Sequence, residues 1–172
     1  MTVAVRSTGG VQSTVERLIA QDDTERTLVG IGVNTVMSRV SGISIPVGTP
    51  VRVTCEIRRD AGAAFLPTLG FRINATIVHS TAIALAIFTA AATAQSGMLE
   101  ITFCAGDAGY LQCGKIHSVT AATGYGTVVL LTTAGLAQSA DIPLVPITSL
   151  AILGNGINAG TTIWTHRMKV YA

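Results

Sequence analysis

The chain has 172 residues, enough for one domain with a real core. Only 12% of them are charged, about half the quarter usual in a soluble domain, while the 49% hydrophobic content is ordinary. A net charge of +2, carried by nine arginines and two lysines against nine acids, argues against long-range attraction to nucleic acid, and the absence of any CxxC pair argues against zinc.

Residues 1–26 differ from the rest of the chain and hold seven of its twenty charged residues. Ser13 and Glu16 have the S-x-x-E spacing of a capping box, which predicts a short helix over Thr14 to Gln21. The segment reads as an N-terminal arm, residues 1–26, preceding a main domain at 27–172. MTVAVRSTGG lacks the apolar stretch of a signal peptide, so folding in the cytoplasm is expected.

From Thr27 onward the pattern has a period of two. In VRVTCEIRR, Val51, Val53, Cys55 and Ile57 face one way and Arg52, Thr54, Glu56 and Arg58 the other, the alternation of a half-buried strand. Arg52, Arg58 and Arg59 with Glu56 and Asp60 are expected to pair among themselves. Ile73 to Leu99 contains no Asp, Glu, Lys or Arg. Its length suits a membrane span. However, Asn74, Thr76, His79, Ser80 and Thr81 interrupt it, and alanine supplies much of its apolar count. It reads better as two strands, the second with a bulky face and an alanine face. Ala82, Ala84, Ala86 and Phe88 are therefore candidate interface residues.

MLEITFC, KIHSVTA, YGTVVLLTTAG, PLVPITSLAIL and TTIWTHRMKVYA continue the series. In the last, Ile163, Thr165, Arg167, Lys169 and Tyr171 alternate against Trp164, His166, Met168 and Val170. Strands separated by turn clusters, of which GNGINAG is the strongest, indicate a sandwich or barrel of about eight to ten strands. The expectation is all-β, with the arm's helix the only exception.

No pattern of residues specifies catalysis. Past residue 60 the acids are Glu100, Asp107 and Asp141, too few to place a pair flanking a glycosidic bond. GNGINAG precedes a strand, whereas a dinucleotide loop opens a helix. His79, His117 and His166 fall in different strands with no acid within a few residues, so they read as structural. Asn74-Ala75-Thr76 is a glycosylation sequon. Cys104 and Cys113 flank a Gly-rich segment, but three unpatterned cysteines fit a reduced chain. Tyr110 and Tyr125 in Gly-rich segments, with Asp107, are candidate loop-binding residues, and Trp164 a candidate interface residue. No enzyme activity, metal or cofactor is expected.

Charge depletion marks the core of an interface, so a homo-oligomer or larger assembly is expected. The polar arm, the Thr-, Ala- and Gly-rich strands, the scarcity of lysine and the missing signal together resemble tailed-phage virion structural proteins of the capsid decoration (cement) or fibre type. That resemblance implies a jelly-roll-like β-sandwich, symmetric oligomers such as trimers, attachment to a protein shell such as a capsid, and residence in the virion. A carbohydrate- or receptor-binding module of the fibre or tail type is the alternative, with glycan as partner. Neither reading involves nucleic acid or membrane.

Overall fold

The computed structural model describes residues 16–29, 35–59, 68–82, 95–106, 113–120, 128–130, 142–155 and 162–172, which contain eleven strands and no helix. In chain order they are β1 (Leu18–Asp22), β2 (Arg26–Val29), β3 (Thr35–Ile45), β4 (Pro50–Arg59), β5 (Thr68–Ile73), β6 (Thr76–Ala82), β7 (Gln95–Cys104), β8 (Cys113–Thr120), β9 (Val128–Leu130), β10 (Ile147–Asn155) and β11 (Thr162–Tyr171). One sheet runs β1-β11-β4-β7-β8-β9, with β2 also paired to β11; the other runs β3-β10-β5-β6. Every pairing is antiparallel.

The sheets face each other across one apolar core. The large sheet contributes Val51, Val53, Cys55, Ile57, Leu99, Ile101, Phe103, Met168 and Val170. The small sheet contributes Ile43, Ile45, Leu69, Phe71, Ile73, Ile147, Leu150 and Ile152. Phe71 meets Phe103 edge to face, with ring centroids 5.7 Å apart, which joins the two layers by a favoured aromatic geometry. Ser38 Oγ donates to Thr165 Oγ1 at 2.9 Å, a buried polar contact between the sheets. The Cys55 thiol lies beside it, and burial pushes its pKa up to about 12. Such a thiol is protonated at neutral pH and unreactive.

The strand covered on both faces is β10, where Leu150, Ala151, Ile152 and Leu153 are all buried. A strand with two buried faces reads as a continuous apolar run, which is how SLAIL reads. The sequence pattern had pointed to Ile73–Leu99 for this role. There, Phe71–Ile73 ends β5 and Thr76–Ala82 forms β6, while 83–94 lie outside the described residues. Among the described residues no helix is long and apolar enough to cross a membrane.

The helix expected over Thr14 to Gln21 is not formed over its described part, where Leu18–Asp22 is strand β1. Pairing wins because β11 offers an open edge: Arg17 and Ala172 exchange both backbone hydrogen bonds at 3.1 Å, and β1 continues that ladder. Strands β1 and β2 lie end to end along β11, so the segment from residue 16 is built into the large sheet. The corner between them is held by Asp22. Its carboxylate accepts from the Arg26 guanidinium, from the Thr24 N–H at 3.2 Å and from the Arg39 N–H of β3 at 2.9 Å. Burial works against the charge, but these donors outweigh it and hold Asp22 below its ordinary pKa of 3.8.

Asn74 fixes the opposite edge of the core. It occupies the β5–β6 turn at φ 55°, a left-handed conformation that asparagine tolerates better than most residues. Its Oδ1 accepts from the Thr148 N–H at 2.8 Å and the Ser149 N–H at 3.2 Å, and its Nδ2 donates to the Pro146 carbonyl at 3.1 Å. The sequon asparagine is thus committed to tying this turn to the start of β10.

Candidate binding face

The inward side of β4, β7 and β11 is apolar, so their outward side carries the polar residues. Three adjacent strands form the middle of this face. Arg58, Glu56, Thr54 and Arg52 descend β4, with Ser96, Met98, Glu100 and Thr102 opposite them on β7. On the other flank, β11 presents Trp164, His166, Lys169 and Tyr171.

One irregularity sets this row. Along β11 the register moves from His166↔Glu56 to Lys169↔Thr54, three residues against two, and Arg167 adopts φ 51°. This is a β-bulge: one extra residue is absorbed and the alternation after it changes face. Met168 and Val170 consequently enter the core, and Lys169 and Tyr171 turn outward. Strict alternation had set Trp164 and Tyr171 on opposite faces; the bulge brings them to the same one.

Each aromatic ring sits directly opposite an arginine and carries its guanidinium. Arg58 lies 4.5 Å from the Trp164 ring centroid and Arg52 lies 4.3 Å from that of Tyr171. Each guanidinium carbon lies over its ring, a cation–π contact that holds the arginine in place. Arg52 is further fixed by Glu16, whose carboxylate accepts from its Nε at 2.7 Å and from its terminal nitrogen at 2.5 Å. This pairing raises the Arg52 pKa. Between the two rings, Glu56 accepts from Arg167 at 3.2 Å and lies 3.7 Å from His166 Nδ1. Of the expected β4 cluster, Arg52 pairs with Glu16 ahead of β1 and Arg58 stacks on Trp164 of β11, while Asp60 and the side chain of Arg59 lie outside the described residues.

At the Trp164 end the face is hollowed. A depression of about 410 Å³ is lined by Trp164, Arg58, Glu56, His166, Met98 and Glu25, among others. That volume falls within the range of small-molecule sites. Its lining combines apolar residues, Trp164 and Met98, with charged ones of both signs, Arg58, Glu56 and Glu25. Among the described side chains on this face, Arg52, Arg58, Arg167 and Lys169 are matched by Glu16, Glu25, Glu56 and Glu100. The arrangement suits a ligand with an apolar side and many hydroxyl groups. Among the described residues no group of His, Cys, Asp and Glu is placed to hold a metal.

Trp164 is half-buried and exposed to this hollow. Tyr110, Tyr125, Asp107, Ala84, Ala86 and Phe88 lie outside the described residues; Ala82 ends β6, and its side chain is likewise not described. The histidines are kept apart by topology. His79 is in the small sheet, while His117 on β8 and His166 on β11 stand three strand spacings apart, about 14 Å. Cys104 has a free thiol, and the strand register sets Cys113 opposite Thr102, so these two cysteines form no bridge. By sequence, Arg52, Arg58 and Glu56 read as a charge cluster pairing within itself and not as site residues. Alternation exposed the outward row of β4, but its pairing with a strand 111 residues away left no local signal.

A second surface lies at the end of the sandwich where β3 and β11 finish and β10 begins. Among the described residues, five of the six exposed large hydrophobics belong to the segments that meet there: Leu18, Ile19, Val47, Leu144 and Val145. The turn that carries Val47 is pinned by Gly48 N–H donating to the Ala105 carbonyl at 2.7 Å. Its side chain fills the space over Gly106, where φ is +71° and an added Cβ would lie 2.5 Å from Val47.

No family model matches this chain, and no curated protein matches it. Among solved structures it is similar to the CBM2 module of the evolved Dit of Lactobacillus casei BL23 phage J-1. The likeness covers 83% of this chain and 74% of that one, at 14% identity and a TM-score of 0.40. At that score it carries no argument about fold or function.

Proposed function

We propose that this chain is a non-enzymatic recognition module of the phage fibre or tail type, which binds carbohydrate on the outer face of its large sheet. The observation that carries this reading is the hollow beside Trp164. An aromatic ring, a stacked guanidinium and a carboxylate held by two bases meet there on a rigid three-strand platform. A sugar has an apolar C–H face and a rim of hydroxyls, which such a surface matches. The strand order is consistent with the jelly-roll reading. If β1 and β2 count as one strand and the β8–β9 hairpin is set aside, the first, last, third and sixth strands form one sheet, and the remaining four form the other. A screen of immobilised glycans with the purified protein tests the proposal. Saturable binding that Trp164→Ala abolishes supports it; binding indifferent to Trp164→Ala overturns it.

Attachment to a protein shell, with the chain a symmetric oligomer in the virion, is a second reading favoured by a different observation. The apolar end built on Val47, Leu144 and Val145 has no charged residue in its described turns. Exposed apolar patches of this kind mark protein contacts. The native mass in solution tests it: a multiple of the chain mass that Leu144→Asp reduces to the monomer supports this reading, and a monomer at micromolar concentration counts against it. The two readings use different surfaces and are compatible.

A further inference from the structure

Resting on the glycan reading above, we infer that the ligand is an uncharged polysaccharide chain, gripped at two stations, Trp164 and Tyr171, rather than a single sugar. Both rings lie on one face only because the bulge at Arg167 absorbs a residue between them. Their partners Arg58 and Arg52 are six residues apart on β4, which sets the stations about 20 Å apart along the strands. That distance exceeds one or two sugar rings and suits an extended chain of several.

The two stations have the same construction, a ring opposite an arginine in register with the guanidinium stacked on it. Repetition of one device along a straight platform fits a ligand that repeats. The ground between the stations is also suited to a chain: Glu56 is already bonded to Arg167, so it presents a neutralised polar surface that neither attracts nor repels a sugar backbone. Among the described side chains of the face, cations and carboxylates balance, which disfavours acidic polymers, nucleic acid included, since these require an excess of basic residues. A neutral chain is what remains. Tyr171 acts here as a binding residue through length: engaging it adds an intramolecular contact for a ligand already held at Trp164.

The test uses the full chain and neutral gluco-, malto- and chito-oligosaccharides of two to eight sugars, with oligouronates of equal length for comparison. In the series that binds, affinity is expected to rise at least about tenfold between the shortest and the intermediate lengths and then level off, as a second contact becomes reachable. Tyr171→Ala should cut the long ligands to the affinity of the short ones and leave the short ones unchanged. Arg52→Met, which removes the guanidinium and leaves β11 intact, should reduce the same gain. If short and long chains bind equally, if neither variant reduces the gain with length, or if oligouronates bind more tightly, this inference is overturned while the glycan reading stands. If no sugar of any length binds, both fall.

Discussion

The two sheets share one core but treat their outer faces differently. On β4 of the large sheet, every second residue is buried and the others face out as Arg52, Thr54, Glu56 and Arg58. On β10, the centre of the small sheet, Leu150 to Leu153 are buried without interruption. The outward side of β10 is thus covered, whereas β3 beside it still exposes Arg39, Ser41 and Ser44. The large sheet has an open polar face, and the residues able to bind something stand on it. Where a fold leaves a sheet face uncovered, its side chains are free to be chosen for contact, and here they form two ring–guanidinium pairs and the Glu56–Arg167 ion pair.

Substitutions can break that contrast directly. The largest effect is expected at the outward position of β10. Leu153→Asp would set an unpaired carboxylate in a covered site and should cost about 3–5 kcal/mol or unfold the domain. The equivalent outward change on β4, Thr54→Glu, should stay within about 0.5 kcal/mol. Equal losses in chemical denaturation would mean that the two outer faces do not differ as described. Removing the aromatic contact between the sheets by Phe71→Ala should cost about 3–5 kcal/mol, because a buried ring leaves a cavity.

A smaller loss is expected at the small sheet's clamp. Asn74→Ala leaves two backbone N–H groups of β10 without their acceptor, worth about 1–3 kcal/mol. Asn74→Gly keeps the left-handed turn at little conformational cost, so it isolates the hydrogen-bond contribution. If the glycine variant is as stable as the parent in thermal unfolding, the clamp is not a stabilising feature.

The Asp22 corner predicts an acid dependence. Its folded pKa is lowered, so its contribution is fully present above the ordinary value of 3.8 and is lost as pH falls through the folded one. Asp22→Asn should therefore lower stability at pH 7 and flatten its decline below pH 4. Parallel stability profiles for parent and variant would contradict this. The smallest effect on stability belongs to the open face: Arg58→Ala gives up one exposed cation–π contact, about 0.5–1 kcal/mol, yet should weaken ligand binding much more than it weakens the fold.

Much of the fold could be read from alternation alone. The inward row of β4, the β7 core residues Leu99, Ile101 and Phe103, and the all-β class all follow from a period of two against a shortage of charge. The rest depended on what strands meet. Ser13 and Glu16 carry a helix signal, but Leu18–Asp22 lies along an open edge of β11, and ladder hydrogen bonds outweigh a local cap. The bulge at Arg167 breaks an alternation that looks unbroken in TTIWTHRMKVYA, because a positive φ at an arginine leaves no compositional trace. The candidate face escaped because strand register, too, leaves no trace in composition. Trp164 was visible, but Arg58 joins it only through the register of β11 on β4.

Trp164 is the chain's single tryptophan, so its fluorescence reports on the hollow and nothing else. The most direct test of the central claim is to follow that emission while titrating the oligosaccharide that binds best. A saturable change in the parent, with an affinity that Arg58→Ala weakens at least about tenfold, or 1.4 kcal/mol, is the predicted result. Binding detected by another method while Trp164 emission stays constant would place the ligand elsewhere and contradict the account.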